Sequence, residues 1–263
     1  MSDIRVLCIG DVCGPAGIGI LKKRLRVVKQ REGADFTIVE GENCSLYGLT
    51  PAQAEELFDA GADAVTLGNH AFGKREINDY LDENGRLLRP ANMRGDLPGR
   101  GEGIFQIDKD GRTFRLGLAV FMCRVGMAII CESPFHAADA ALKRMAGRAD
   151  GVIVDIHGEA TSEKVAFGHH VAGRVSAVFG SHTHVLTADA RIINGTGYIT
   201  DVGMTGPEDS VIGVRTESSL EFFLSDGVVK KYKSAEGDGP MCGVLFDVGW
   251  DGKCTGVRAF AER

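Results

Sequence analysis

The stretch Ile4-Arg5-Val6-Leu7-Cys8-Ile9-Gly10-Asp11 decides the fold. A short apolar run closed by Gly-Asp reads as a buried strand. Working outward, residues 18–30 form a basic amphipathic segment that reads as a helix. Residues 36–39 are strand-like and run into Glu40-Gly41-Glu42-Asn43. Thr50-Pro51-Ala52-Gln53 opens a second helix, with Thr as N-cap, Pro in the first turn and Gln three residues after the Thr. Residues 63–67 give a third strand that ends in Gly68-Asn69-His70, and residues 74–84 read as helix. This β-α-β-α-β-α rhythm implies a layered, mostly parallel sheet.

The pattern repeats further on. Residues 104–107 and 113–118 flank Asp108-Lys109-Asp110-Gly111, a hairpin signal. Residues 134–146 and 161–172 read as helices, and residues 151–156 and 175–179 as strands. The first of these strands runs into His157 and the second into Gly180-Ser181-His182-Thr183-His184. After Asp189 the pairs Asn194-Gly195, Asp226-Gly227 and Asp251-Gly252 punctuate strand-like segments, so that part reads as antiparallel. Residues 122–135 fit a loop near the site or an oligomer contact. With no internal repeat or linker, one domain over residues 1–263 is expected.

A net charge of −6 disfavours a protein that coats a nucleic-acid backbone, which needs clustered Lys and Arg, and no sequence-specific nucleic acid is expected as partner. A small anionic substrate stays open if bound cations reverse the local field. Seven cysteines, an odd number without Cys-x-x-Cys, read as reduced thiols rather than a disulfide framework. The longest apolar run, residues 116–123, is too short for a bilayer and no signal peptide is visible, so a cytoplasmic protein without a membrane partner is expected.

The informative polar residues fall at strand ends, where functional groups gather in an open α/β sheet. They are Asp11, Glu42 with Asn43, Asn69 with His70, His157, and His182 with His184. Singly each has an ordinary reading: Asp11 as a helix cap, Asn69 as a turn residue, a lone histidine as structural. Together, carboxylate, amide oxygen and imidazole suit a pair of first-row cations. If the last loop stays extended, His182 and His184 face one side and converge on one point.

In that order, Gly10-Asp11, Gly41-Glu42-Asn43, Gly68-Asn69-His70, His157 and Gly180-Ser181-His182-Thr183-His184 resemble the calcineurin-like metallophosphoesterases. That superfamily carries Asp-x-His, Gly-Asp, Gly-Asn-His-Glu, a lone His and Gly-His-x-His. The chain departs from it at Cys13, where Asp-x-His would place a histidine, and at Glu42, where Gly-Asp would place an aspartate. Both departures resemble the YmdB-like phosphodiesterase branch. So do Arg89-Pro90-Ala91-Asn92, Glu159-Ala160-Thr161-Ser162-Glu163-Lys164 and Thr200-Asp201-Val202-Gly203-Met204-Thr205-Gly206.

The resemblance implies an α/β fold, a four-layer α/β/β/α sandwich with mixed sheets. It implies one metal held by Asp11, Glu42, Asn43 and His184, and a second held by Glu42, Asn69, His157 and His182, with Glu42 bridging. Iron is the first expectation, with manganese or zinc as alternatives. His70 is not a ligand, and Cys13 has no assigned role. The implied substrates are 2′,3′-cyclic nucleotides opened to nucleoside 3′-phosphates, with activity on model diesters such as bis(p-nitrophenyl) phosphate. A homo-oligomer, dimer or tetramer, is the assembly that the apolar 122–135 segment hints at.

Chemically, a cation pair about 3.5–4 Å apart turns a bridging water into hydroxide for in-line attack and neutralises the phosphoryl oxygens. His70, near neutral in reference pKa, is the expected general acid, worth about 10²–10⁴ in rate. Glu159, Asp155 and Asp201 are candidate acceptors for the ligand histidines. Arg124 is a candidate phosphate contact, though an exposed or interface arginine is the simpler reading. Two other classes compete. A dinucleotide-binding oxidoreductase would use residues 14–19, but their glycine spacing is wrong and the histidines go unexplained. A regulatory metal-dependent protein that binds a nucleotide or RNA and turns over slowly would use the same ligands.

Overall fold

A computed structural model describes residues 2–225, 227 and 231–263. In chain order the first half holds β1 (Ile4–Ile9), β2 (Asp11–Val12), α1 (Gly14–Glu32), β3 (Phe36–Glu40), α2 (Pro51–Ala60), β4 (Ala64–Thr66), α3 (Ile77–Glu83), β5 (Leu87–Leu88), β6 (Glu102–Lys109) and β7 (Arg112–Met122). The second half holds α4 (Pro134–Met145), β8 (Gly151–His157), α5 (Thr161–Val171), β9 (Ala177–Ser181), β10 (Arg191–Ile193), β11 (Thr196–Ile199), β12 (Met204–Thr205), α6 (Thr216–Leu224), β13 (Met241–Val248) and β14 (Cys254–Glu262).

These strands form two mixed sheets. One has eight strands in the order β2-β12-β13-β1-β3-β4-β5, with β14 paired to β13; the other has six in the order β10-β11-β9-β8-β7-β6. Alternation along the strands builds three cores. Leu7, Ile9, Val39 and Val65 face Leu21, Leu25 and Leu57 of α1 and α2. Their neighbours Val6, Cys8 and Ile38 turn the other way and pack with Phe114, Leu116, Leu118, Val120 and Phe179 of the second sheet. Ala119, Phe121, Val154 and Val178 then face Ala141, Phe167 and Val171 of α4 and α5. The result is the expected α/β/β/α sandwich. Within it β1, β3, β4 and β5 are parallel, as are β7, β8 and β9. The carboxyl ends of both parallel sets therefore meet on one edge.

Local chemistry explains most boundaries. The Thr50 capping box forms, with Gln53 N donating to Thr50 Oγ1 at 3.2 Å and Thr50 N donating to Gln53 Oε1 at 3.1 Å. Helix α1 starts at Gly14, not at residue 18; its N-cap Cys13 makes no side-chain capping bond, and Pro15 in the first turn is the one start signal there. Helix α3 is shorter than expected, because residues 70–76 are used in turns.

The antiparallel reading after Asp189 holds for β10–β11 and for β13 with β12 and β14. It does not hold on the other side of β11 and β12, where they pair in parallel with β9 and β2. Nor does it hold for α6, whose run Leu220-Glu221-Phe222-Phe223-Leu224 is too uniformly apolar to distinguish helix from strand by period. Asp226 of the expected Asp226-Gly227 turn lies outside the described residues. Among the described residues no helix is long and apolar enough to cross a membrane.

Candidate metal centre

Each strand end delivers its donors to the shared edge. Asp11 opens β2, Glu42 and Asn43 follow β3, Asn69 and His70 follow β4, His157 closes β8, and His182 and His184 follow β9. Asp11, Glu42 and His157 are fully buried. The Glu42 carboxylate ties the two sheets together. Its Oε2 accepts from the Gly68 and His70 amides at 2.7 and 2.8 Å, and its Oε1 lies 3.0 Å from His157 Nε2. Only glycine fits at position 68, since a Cβ there would stand 2.2 Å from His157 Nε2.

Hydrogen-bond partners fix where the histidine protons sit. His157 Nδ1 lies 2.9 Å from Ser181 Oγ, and that hydroxyl donates to Asp155 Oδ1 at 2.7 Å. His157 therefore carries a proton on Nδ1, and in the neutral ring that a metal takes Nε2 presents a lone pair. Around Nε2 stand Asn69 Oδ1 at 2.9 Å, Glu42 Oε1 at 3.0 Å and His182 Nδ1 at 3.1 Å. The other nitrogen of His182, Nε2, faces Glu159 Oε2 at 3.4 Å, which leaves Nδ1 free to present its lone pair. His184 follows the same logic: Nδ1 donates to the Ile212 carbonyl at 2.8 Å, and Nε2 faces Asp11 Oδ1 at 3.5 Å.

Lone pairs thus face lone pairs, an arrangement that a cation satisfies and a hydrogen bond does not. Asp11 Oδ1, Glu42 Oε1 and Asn43 Oδ1 are buried without a hydrogen-bond partner. An unsatisfied buried oxygen costs about 1–3 kcal/mol, more when charged, so such atoms are rare unless something fills the gap. Glu42, His157 and His182 bring ligand atoms within 4.8 Å of one another, and so do Asp11, Glu40, Glu42 and His157. The residues present fit a bound metal.

Electrostatics agree. Burial acts to raise the pKa of Asp11, but His184 outweighs it and holds the carboxyl below the usual range. Burial likewise opposes Glu42, and His157 outweighs it, so both acids are ionised at neutral pH. Burial and the neighbouring His157 push His182 down to about 4, which keeps its ring neutral. Burial also lowers His70 from its ordinary value.

The structure gathers Asp11, Glu42, Asn69, His157, His182 and His184 in one cluster, places Asn43 on the lining of the same cleft, and corrects how the two histidines of the last loop arrive. The 182–184 loop is not extended: His182 has φ 96° and His184 φ 63°, left-handed values that non-glycine residues seldom adopt. The two rings consequently face neighbouring points, His182 toward His157 and His184 toward Asp11, rather than one. A buried ion pair stabilises this backbone. Lys164 Nζ donates to Asp201 Oδ2 at 2.8 Å and to the Ser181 carbonyl at 3.2 Å, while Asp201 accepts from Thr183 N and Oγ1 at 3.1 and 2.6 Å. Of the three candidate acceptors for the histidines, Asp155 acts through Ser181 and Glu159 faces His182, whereas Asp201 accepts from Lys164 and Thr183 and serves the loop backbone instead.

Cys13 Sγ lies 3.5 Å from His184 Nδ1, the nitrogen turned away from Asp11. Asn43 Nδ2 points to the Leu46 carbonyl at 3.4 Å, which turns its Oδ1 inward. His70 lines the cleft, its ring edge-on to Tyr47 with centroids 4.9 Å apart. Arg124 lies elsewhere. Its backbone amide donates to the Glu163 carboxylate, and it lines a separate groove with Ile130 and Phe135. Sequence reading missed Glu40 as a member of the cluster. It is fully buried, both its oxygens face the Glu42 amide at 3.2–3.3 Å, and burial, then Asp11 and Glu42, raise its pKa well above normal. The available signal was a carboxylate closing an otherwise apolar strand.

A four-layer sandwich that places Asp, Glu, Asn and His donors on the common edge of two sheets defines a phosphoesterase of the calcineurin-like fold. Comparison with known proteins narrows this. The chain is 40% identical over 255 residues to the 2′,3′-cyclic-nucleotide 2′-phosphodiesterase of Bacillus subtilis (strain 168), covering 93% of this chain and 91% of that protein. The crystal structure of a hypothetical protein from Thermus thermophilus superposes with a TM-score of 0.88 at 36% identity, over 99% of this chain and 100% of the other. A novel phosphatase from Mycoplasma pneumoniae superposes with a TM-score of 0.89 at 32% identity, over 99% and 94%. The chain belongs to the YmdB-like protein family, whose model matches residues 7–260. As a member it is a phosphoesterase-type hydrolase.

Proposed function

We propose that the protein hydrolyses small phosphodiesters, 2′,3′-cyclic nucleotides foremost, to nucleoside 3′-phosphates. The observation that carries this is the set of inward-facing lone pairs at the floor of a cleft of about 380 Å³, with His70 on its wall. The named activity of the Bacillus subtilis relative supports the substrate class. Asp11, Glu42, Asn43 and His184 would hold one cation, and Glu42, Asn69, His157 and His182 a second, iron being the first expectation for both. Bound cations supply charge neutralisation at the phosphoryl oxygens and lower the pKa of water.

The protein's own groups do the rest. Glu42 would serve both cations because the Gly68 and His70 amides fix its Oε2, which leaves Oε1 without a hydrogen-bond partner and available to them. Ser181 and Asp155 keep the His157 lone pair aimed inward. His70 is free of the ligand network at its ring, so it can give a proton to the leaving 2′-oxygen. Its lowered pKa makes it a stronger acid but leaves less of it protonated at neutral pH, so this contribution falls as pH rises.

Removal of the ring tests the assignment. In His70→Ala, kcat on 2′,3′-cyclic AMP should fall by about 10²–10⁴ while metal content, measured by elemental analysis, stays at the wild-type level. An undiminished kcat would remove His70 from the reaction.

A further inference from the structure

We propose that the aromatic part of the cleft lining, Tyr47 together with Tyr232 and Phe223, is a nucleobase seat that selects cyclic nucleotides over base-free cyclic phosphates. The inference rests on the reading of the site as a cyclic-nucleotide phosphodiesterase.

Tyr47 is placed by the donors themselves. Its loop leaves β3 through Glu42 and Asn43, and it closes back on them: Gly48 N donates to Glu42 O at 2.7 Å and Leu46 N to Asn43 O at 3.0 Å. Leu46 at φ 67° and Gly48 at φ 99° make the reversal. The loop then lies directly on the His70 loop. A Cβ on Gly73 would stand 2.7 Å from the Tyr47 carbonyl, and one on Gly48 would stand 2.9 Å from Gly73 C. This backbone contact sets Tyr47 and His70 ring to ring, 4.9 Å apart at 65°. Yet Tyr47 remains 45% exposed, a large aromatic face left open at the mouth of the site.

The same lining carries further aromatic rings. Phe223 of α6 is 74% exposed, and Phe222 links it to Tyr232, with ring centroids 5.3 and 5.6 Å away. Ile212, 49% exposed, lines the same cleft, and its carbonyl is the group that holds His184. The lining is thus tied to the donors at two points, Tyr47 through the Glu42 and Asn43 loop and Ile212 through His184.

The chemistry of the lining chooses the occupant. Among the described residues the cleft lining includes no Lys or Arg, and Glu159 is its only acid. A further phosphate, as in a nucleoside polyphosphate or an oligonucleotide, would find no cationic partner in that lining. A flat, uncharged, polarisable group is what a lining of tyrosine and phenylalanine rings can bind, and a base stacked on an aromatic side chain has that character.

The test compares two five-membered cyclic diesters, 2′,3′-cyclic AMP and base-free ethylene phosphate, with metal-loaded enzyme. The ratio of their kcat/KM values should fall about tenfold or more in Tyr47→Ala and in Tyr232→Ala, and stay near wild type in Tyr47→Phe. Ratios unchanged in both alanine variants would overturn the seat while leaving the phosphodiesterase reading intact. If the wild type opens neither diester, that reading fails, and calorimetry with adenosine 3′-phosphate against methyl phosphate decides the seat alone. A preference for the nucleotide that weakens in Tyr47→Ala supports it. No preference, or one that survives both alanine variants, overturns it.

Discussion

Ser181 does two things with one hydroxyl. It accepts from His157 Nδ1 and donates to Asp155, so a single side chain decides which nitrogen of a buried histidine faces the cluster. Thr66 Oγ1 occupies the other Asp155 oxygen at 2.6 Å, which leaves that carboxyl little freedom to rearrange. Ser181→Ala removes both bonds without changing any donor. Losing an outer partner of this kind lowers metal affinity by about 10–100-fold. The loss should show in competition with a fluorescent chelator, and the fold should be intact by circular dichroism. Unaltered affinity would mean that the proton on His157 is held by something other than Ser181. The donor residues were legible in the sequence because they are chemically distinctive and stand at strand ends. The hydroxyl relay was not, since Ser181 lies in register with His157 only through strand pairing. Glu40 escaped for a similar reason. A glutamate beside a glycine reads as loop charge until its strand is seen to be buried on all sides.

At the scale of elements, the 182–184 loop is the costly part. Two histidines with positive φ store backbone strain of about 1–3 kcal/mol each, tolerated only where the surroundings over-determine them. The surroundings here are α5 and the segment before β12. Lys164 reaches from α5 beneath the loop to Asp201, and both are buried. A lysine in a helix reads as solvent-facing, so the clamp was invisible in the sequence except as part of a recognised motif. Helix α6 was missed for the opposite reason, an excess of apolar residues that blurs the period. Lys164→Met fills similar space but strands Asp201 in the interior. Burial already raises Asp201, and Lys164 counters that effect, so its loss leaves a charge that must be re-partnered or protonated. Breaking a buried pair in this way costs about 3–5 kcal/mol. Urea unfolding should show a matching fall in midpoint, with metal occupancy reduced as the histidine loop relaxes. Lys164→Met combined with Asp201→Leu should recover much of the stability but not the occupancy, because Thr183 would still lack its acceptor. A double variant with full occupancy would show that the loop needs no clamp.

For the whole molecule, the metal edge is where two sheets of separate cores come together, and the contact there is unusual. Elsewhere the sheets meet through Val6, Ile38, Leu116 and Phe179, which gain from exclusion of water. At the edge they meet through ionised Asp11 and Glu42, both fully buried, whose ion pairs are to His184 and His157. Without cations this junction is costly, because burial opposes the charge on His184 and His157 as well as on the two acids, so desolvation offsets much of what each ion pair gains. Metal that binds the folded state and not the unfolded one stabilises by an amount that grows with the logarithm of its concentration, about 2.7 kcal/mol at a hundredfold excess over Kd. For a chain of this size each kcal/mol raises Tm by about 2–4 °C. Chelator-stripped protein should therefore melt several degrees lower than protein supplied with Mn²⁺ or Fe²⁺, by scanning calorimetry at neutral pH. The decisive variant is Asp11→Asn with Glu42→Gln. It removes both buried carboxylates and with them what keeps His157 and His184 protonated, so the rings can turn neutral and the stripped protein should melt higher than stripped wild type, while added metal should no longer raise Tm. If the double variant still gained stability from metal, the cations would be binding somewhere other than the junction of the sheets. If stripped wild type melted as high as the loaded form, the unpartnered oxygens at that junction would have some other means of satisfaction.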